Sequence, residues 1–206
     1  FMKTMCSAEQ NLTMGKVYEE IREKERRGDY LGETVQLIPH VTDHIKDYVT
    51  TVADTNDADL VIVEVGGTIG DMENELYVEA LRQLRSDIGE ENIAYAHMTL
   101  VPKPTNVNEQ KTKPTQQSTA LLNERGISPD FMFCRCEEWL KSDVINKIST
   151  FTDVPSEEIY SCVDVDSIYR IPENFHEQGF HQSLSNELGL VKPSLSTFQQ
   201  WQTLLQ

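Results

Sequence analysis

The stretch Asp59-Leu-Val-Ile-Val-Glu-Val-Gly-Gly-Thr-Ile-Gly-Asp-Met-Glu73 constrains the fold more than any other part of this chain. Leu60 to Val65 is apolar apart from one acid, Glu64, and a glycine pair follows at once. A short continuous apolar run ahead of glycines predicts a buried strand of a parallel sheet. A carboxylate inside such a strand is costly unless it is paired or binds a cation. The C-terminal end of a strand is also where open α/β sheets hold their ligands. The glycines allow a sharp turn and a close approach of backbone to something bound. Asp71 and Glu73 lie in the loop beyond, so three acids are expected to converge on one strand end. For Asp71 and Glu73 a plainer role, capping the next helix, stays open.

Around this stretch, strand and helix signals alternate. Met14 to Arg27 reads as a helix, and Thr34 to Ile38 as a strand or extended entry closed by Pro39-His40. A helix starts near Thr42, which suits its cap. Tyr77, Leu81, Leu84 and Ile88 recur at helical spacing and predict a helix over 74–88. Ile93 to Val101 reads as a strand, a polar loop runs from Pro102 to Lys111, and a helix from Thr112 stops at Gly126. Asp130 to Cys134 and Ile159 to Val163 read as strands either side of a helix over 144–151, and Leu195 to Leu205 as a short amphipathic helix. Strands alternating with helices mean βαβ units and a parallel sheet, and 206 residues suit one α/β domain.

Lys111-Thr-Lys-Pro-Thr-Gln116 is the second cluster with chemical content. Two lysines flank a threonine where a helix begins, and Pro114 suits the first helical turn. A helix start offers free N–H groups and the positive end of the dipole, so added lysines make an anion site. A solvated capping turn is the alternative. Lys147, alone on its helix, reads first as surface charge, and Asp164-Val-Asp166 as ligand-edge or turn residues. His40, beside Pro39, is more simply structural. The chain carries 18 basic against 34 acidic residues, a net charge of −16, so any anion must be held locally. That balance excludes non-specific nucleic-acid binding. No apolar stretch approaches the ~20 residues that cross a bilayer, so no membrane role is expected. The four cysteines have no zinc-like spacing and are read as reduced thiols of a cytoplasmic protein. There is no GxxxxGK[ST] phosphate loop, no nucleophile elbow and no metal-binding histidine pair.

Five segments occur in an order that resembles the CTP synthases: Lys24-Glu-Arg-Arg-Gly-Asp-Tyr-Leu-Gly32, Thr34-Val-Gln with Ile38-Pro-His40, Val63-Glu-Val-Gly-Gly-Thr-Ile-Gly-Asp71, Lys111-Thr-Lys-Pro-Thr-Gln116 and Asp164-Val-Asp-Ser-Ile-Tyr169. The resemblance covers about Asn11 to Gly179. It implies a synthetase (amidoligase) domain of the P-loop, dethiobiotin-synthetase-like type, a three-layer α/β fold with a mostly parallel sheet flanked by helices. Residues 1–190 would be a part of that domain, incomplete at its N-terminus, and 191–206 a helix or linker towards a glutaminase domain. Phe1 precedes Met2, so the chain is expected to be a processed or partial product. The family's P-loop and a second magnesium-binding Asp would precede Phe1, and its glutaminase domain would follow Gln206.

The chemistry so implied is amination of UTP to CTP. ATP phosphorylates the uracil O4 to give 4-phospho-UTP, and ammonia from glutamine displaces the phosphate. Carried onto this sequence, Glu64 would bind the Mg2+ that serves the ATP phosphates. Asp71, Met72 and Glu73 would recognise the cytosine and ribose of CTP in a feedback site. Lys111, Thr112, Lys113, Pro114, Thr115 and Gln116 would hold the triphosphate of UTP or CTP, with Lys147 adding a contact. Val165 would meet the ATP adenine, and the segment around His40 would line an ammonia entry or respond to GTP as an activator. Lys111 and Glu64 are thus the catalytic candidates. The resemblance also implies a homo-tetramer whose nucleotide sites lie between subunits. The chain alone, lacking a P-loop, is expected to be inactive. The alternative from a different class is a non-catalytic UTP/CTP-binding protein derived from this domain. A related P-loop ligase such as dethiobiotin synthetase is disfavoured by the Lys111–Gln116 and Asp71–Glu73 segments.

Overall fold

The computed structural model describes residues 6–191 and 196–205. Its first helix, α1 (Met14–Arg27), spans the residues its sequence predicts. The Thr13 hydroxyl accepts from the Lys16 N–H at its start, and Gly28 closes it at φ 85°, a left-handed cap that suits glycine. Helix α2 (Thr42–Thr55) also begins where expected, and α3 (Glu75–Ile88) follows the glycine-rich loop. Val17 and Ile21 of α1, Val41, Ile45 of α2 and Ala80 of α3 form one buried cluster, with Leu12, Tyr30, Leu76 and Tyr77 packed against it. The Tyr77 hydroxyl donates to the Leu12 carbonyl at 3.2 Å.

Two strand expectations are corrected here. Thr34–Ile38 is irregular and runs into a single π turn, Leu37–Val41, with a cis Ile38–Pro39 bond. The Gln36 N–H donates to the His40 ring at 2.9 Å instead of to a neighbouring strand, and Pro39 has no N–H to give. Leu60–Val65 forms no strand either; Ile62 is 83 % exposed and Glu64 is exposed. A strand exists only as part of a ladder, and an apolar run does not specify its partner. Glu64 therefore stands in water, and the argument from the cost of burying it lapses.

The chain divides into two compact units, Met2–Asp87 and Ile88–Gln206. The second is built on strands β1 (Ala96–Leu100), β2 (Phe131–Cys136) and β3 (Ile159–Val163), all parallel in the order β1-β2-β3. Helices α4 (Lys113–Glu124) and α5 (Ser142–Thr152) make the crossovers, so the α/β class is as predicted. β1 is shorter than the predicted Ile93–Val101, because its ladder with β2 runs only from Ala96↔Phe131 to Leu100↔Arg135.

Both faces of this sheet are covered at β2 and β3, while Met98 and Leu100 of β1 stay exposed. On one, Met132, Cys134, Cys136 and Ile159 pack with Val144 and Ile148 of α5. On the other, Phe131, Phe133 and Tyr160 meet Phe180 of α7 (Phe180–Glu187) with ring centroids 5.0–5.4 Å apart, and Phe175 of α6 (Ile171–Glu177) joins them. Buried parallel sheets require such double cover. The outer edge of β3 is closed by a side chain: Gln178 accepts from the Ser161 N–H at 2.7 Å and donates to the Ser161 carbonyl at 3.0 Å. The last described helix, α8 (Ser196–Leu204), falls within the predicted Leu195–Leu205, of which Leu195 lies outside the described residues. It rests on the β3–α6 segment through Trp201, whose indole donates to the Tyr169 carbonyl.

Two outcomes are expected from this packing. Ile148, fully buried between α5 and the sheet, should cost ~2–5 kcal/mol when cut to Ala, read as a lowered urea midpoint at unchanged slope. His44 of α2 has its pKa lowered, by burial first and then by Lys24, whose Nζ lies 3.4 Å from its ring. The unfolded chain then binds more protons below pH 6.5, so stability is full above that value and falls as pH drops towards the folded pKa. His44→Gln should flatten the loss of stability between pH 7 and pH 5; an unchanged slope would place the acid sensitivity elsewhere.

Candidate functional site

The basic turn at the head of α4 is held from behind by β1. His97 and Thr99 alternate along β1 and both face α4. The Thr115 hydroxyl lies 3.1 Å from Thr99 Oγ1 and 3.2 Å from the Leu100 carbonyl, to which it donates. Thr119 in turn donates to the Thr115 carbonyl at 2.9 Å. One turn further on, the His97 ring meets the Ser118 hydroxyl at 2.9 Å, and burial lowers its pKa, so it is neutral near pH 7. Thr99, Thr115 and Thr119 are all buried. Buried hydroxyls stay only where they are bonded, so this seam fixes α4 on the sheet.

In front of the seam, Thr112 occupies the cap position of α4 and Pro114 its first turn, as the sequence predicts. Thr112 does not cap with its side chain; its hydroxyl accepts from the Gln116 amide at 3.0 Å. The Gln116 N–H bonds to the Thr112 carbonyl, which leaves the N–H groups of Lys113 and Thr115 without an intrahelical partner. Lys113 is exposed. The Lys111 N–H donates to the Pro102 carbonyl at 2.8 Å, and its ammonium pairs with Glu109 at 2.7 Å. Glu109 has its pKa lowered, chiefly by the hydrogen bond and charge of Lys111, and in addition by the charge of Lys147. Lys147 lies on α5, which packs against α4, and its charge is also felt at Glu109. The structure brings Lys111, Thr112, Lys113, Pro114, Thr115 and Gln116 together at the start of α4, and carries Lys147 on the neighbouring α5.

Two neighbours of this turn carry signals that sequence reasoning passed over. Gln110 is buried, and its side-chain amide bonds to the backbone of the loop 138–141. Glu109 pairs with Lys111, and an acid two residues before a lysine is too common a pattern to stand out in the sequence. Val165, half-buried, lies just past β3, where the Asp164 N–H bonds to the Cys136 carbonyl and its carboxylate pairs with Arg135 at 3.3 Å.

The remaining candidates belong to the first unit. The loop after Val65 is shaped by Asn74, which is buried and donates to the Thr68 carbonyl at 2.9 Å and the Gly66 carbonyl at 3.4 Å. Gly67 holds φ 94°, a conformation that strains any other residue, and a Cβ there would press on the Asn74 amide at 3.3 Å. The Asp71 carboxylate folds back to accept from the Thr68 N–H at 3.3 Å, while Met72 is 87 % exposed and Glu73 is exposed. The expected convergence of three acids is therefore corrected. Among the described residues no group of three His, Cys, Asp or Glu side chains is placed to share a metal. Magnesium is commonly bound by one or two carboxylates with phosphates and water, so Glu64 supplies at most one ligand and does not form a site by itself. His40 accepts from Gln36 and meets Tyr30 edge-on, ring centroids 4.8 Å apart. No helix among the described residues is long and apolar enough to cross a membrane.

Comparison with known proteins gives this arrangement a family. A sequence model described as the CTP synthase N-terminus matches residues 1–190. The CTP synthase of Borreliella burgdorferi is 47 % identical over 196 residues, 95 % of this chain and 37 % of that protein. That of Methanopyrus kandleri is 47 % identical over 190 residues, 92 % of this chain and 36 % of the relative. For Lactobacillus helveticus the identity is 48 % over 183 residues, 89 % and 34 %. The chain spans little more than a third of the length of the curated relatives it matches. With the motifs, the parallel sheet and the basic turn in agreement, the chain belongs to the CTP synthase family, in that family's N-terminal region.

Proposed function

We infer that this chain contributes the pyrimidine-nucleotide site of a CTP synthase, which aminates UTP to CTP at the expense of ATP with ammonia derived from glutamine. The observation that carries this reading is the lysine-bearing start of α4, where Lys111 and Lys113 stand beside unpartnered helix N–H groups and the charge of Lys147 on α5 is also felt. In a chain of net charge −16 such a spot is where a polyanion can be held. Lys111 exchanges the Glu109 carboxylate for phosphate oxygens, Lys113 lies beside it in solvent, and the N–H groups of Lys113 and Thr115 receive further oxygens. The seam to β1 keeps these donors in place while the uracil O4 is phosphorylated elsewhere on the bound nucleotide. Positioning and electrostatics of this kind account for much of phosphoryl-transfer catalysis.

The other assignments complete the reading. Glu64 offers one carboxylate to Mg2+, which when bound neutralises the ATP phosphates. Asp71, Met72 and Glu73 form part of the CTP feedback site, Val165 contacts the ATP adenine, and the His40 segment serves ammonia entry or activation by GTP. Residues 1–190 act as part of the synthetase domain, 191–206 lead towards a glutaminase domain, and the complete protein is a cytoplasmic homo-tetramer. The exposure of Glu64 gives some weight to the second reading, a UTP/CTP-binding protein without catalysis. A carboxylate in water needs no cation to justify it, so Glu64 no longer argues for an ATP site on energetic grounds.

Lys111→Ala in the complete protein should weaken UTP and CTP together by roughly 10- to 100-fold, the range for losing a charged hydrogen bond. Titration calorimetry that found UTP affinity intact would remove the triphosphate from this turn. Glu64→Gln should abolish ATP-dependent turnover while UTP still binds. Full turnover in that variant would take Glu64 out of the metal site, and the absence of turnover in the unaltered protein would favour the binding-only reading.

A further inference from the structure

Lys111 and Lys147 can share one anion only if the turn that carries the first is held at a fixed distance from the helix that carries the second. The β1–α4 seam fixes α4 to the sheet but does not touch α5. α4 and α5 pack directly on each other, and at the turn itself the Gln110 side chain crosses to the loop that starts α5. Gln110 is 4 % exposed, and its carboxamide makes three hydrogen bonds to main-chain groups of the loop between β2 and α5. Its Nε2 donates to the carbonyls of Glu138 (3.2 Å) and Trp139 (3.1 Å), and its Oε1 accepts from the Lys141 N–H at 3.1 Å. Lys141 occupies the cap position of α5, and its carbonyl receives the N–H groups of Val144 and Ile145, both at 3.0 Å. The residue that Gln110 grips is therefore the one from which α5 is launched. On the other side, Gln110 is joined directly to Lys111, whose N–H is tied to the Pro102 carbonyl.

We propose that Gln110 is a positioning residue for the nucleotide triphosphate: by bonding the start of α5 to the residue before Lys111, it sets the spacing of Lys111 and Lys147 around the bound anion. This rests on the pyrimidine-nucleotide reading above. The chemistry suits the task. A primary amide offers donors and an acceptor on a rigid plane, and here the nitrogen donates twice and the oxygen accepts once, all with backbone. A lysine or arginine in its place would add charge but could not accept from Lys141. An apolar residue would leave two carbonyls and an N–H buried without partners. Nearby, Lys103 pairs with Glu138 at 2.9 Å and the Leu140 N–H donates to the Ser161 hydroxyl at 3.2 Å, so the loop is tethered at several points and does not depend on Gln110 for its existence. What depends on Gln110 is the loop's register against the Lys111 turn.

The test is a double-mutant cycle in the complete protein, with UTP binding and the KM and kcat for UTP as readouts. Gln110→Met keeps length and apolar volume but removes every hydrogen bond. It should weaken UTP by ~10-fold, chiefly in KM, with kcat and the KM for ATP little changed. In a Lys147→Ala background the same change should have almost no further effect, because the spacing it sets no longer has a second lysine to serve. Should Gln110→Met fail to fold, judged by its thermal transition, Gln110→Asn keeps the amide but falls a methylene short of bridging the two segments and takes its place in the cycle. Equal penalties from Gln110→Met in both backgrounds, or a loss spread equally over UTP and ATP, would overturn the positioning role while leaving the site itself standing. Unchanged UTP binding in Lys111→Ala and Lys147→Ala would overturn the site, and the role of Gln110 with it.

Discussion

The Thr115 hydroxyl, bonded to the Leu100 carbonyl and lying against Thr99, is the contact on which the rest of the second unit's chemistry depends. A helix start attracts anions only through groups that stay pointed at them, and the first turn of a helix is its most easily frayed part. Here that turn is anchored to the C-terminal end of a sheet strand by a fully buried hydroxyl. The β strand is held in its turn by a parallel partner on which Thr99 also leans, its hydroxyl 3.6 Å from the Cys134 sulfur. The thiols along this sheet serve as small apolar groups. Burial pushes Cys134 up to about 11 and Cys162 up to about 12, so neither is a nucleophile at neutral pH.

Electrostatics then works by contrast. The molecule as a whole repels anions, and it is at one helix start, with a lysine delivered from the next helix, that the balance is locally reversed. Glu109 neutralises Lys111 when nothing else is bound. An anion arriving there has to compete with a tethered carboxylate, which discriminates against weak, singly charged ligands and in favour of a chain of phosphates.

Much of this was legible in the residues. α1 and α2 follow from caps, periodicity and a terminal glycine, all local signals, and β3 was bounded by turn residues on both sides. The Lys111–Gln116 turn was recognisable because its chemistry is contiguous. Leu60–Val65 was misread for the opposite reason. Its composition fits a strand, but pairing is decided by a partner that no local pattern names, and Ile62 ends in solvent. Thr34–Ile38 failed because a side chain four residues on, that of His40, satisfied the Gln36 N–H a strand would have used. Gln110 was invisible, since its partners are main-chain groups some thirty residues onward and carry no residue identity to read.

The closing of β3 by Gln178 has a consequence for assembly. A carboxamide carries the same donor and acceptor as a peptide group, so Ser161 is already bonded as though another strand lay beside it. A strand approaching past β3 must first evict a seated amide. At the opposite border, β1, the Leu100 carbonyl already accepts from the Thr115 hydroxyl. Pairing at either border therefore begins by displacing a seated side chain, and the sheet is blunted against a stray neighbour on both sides.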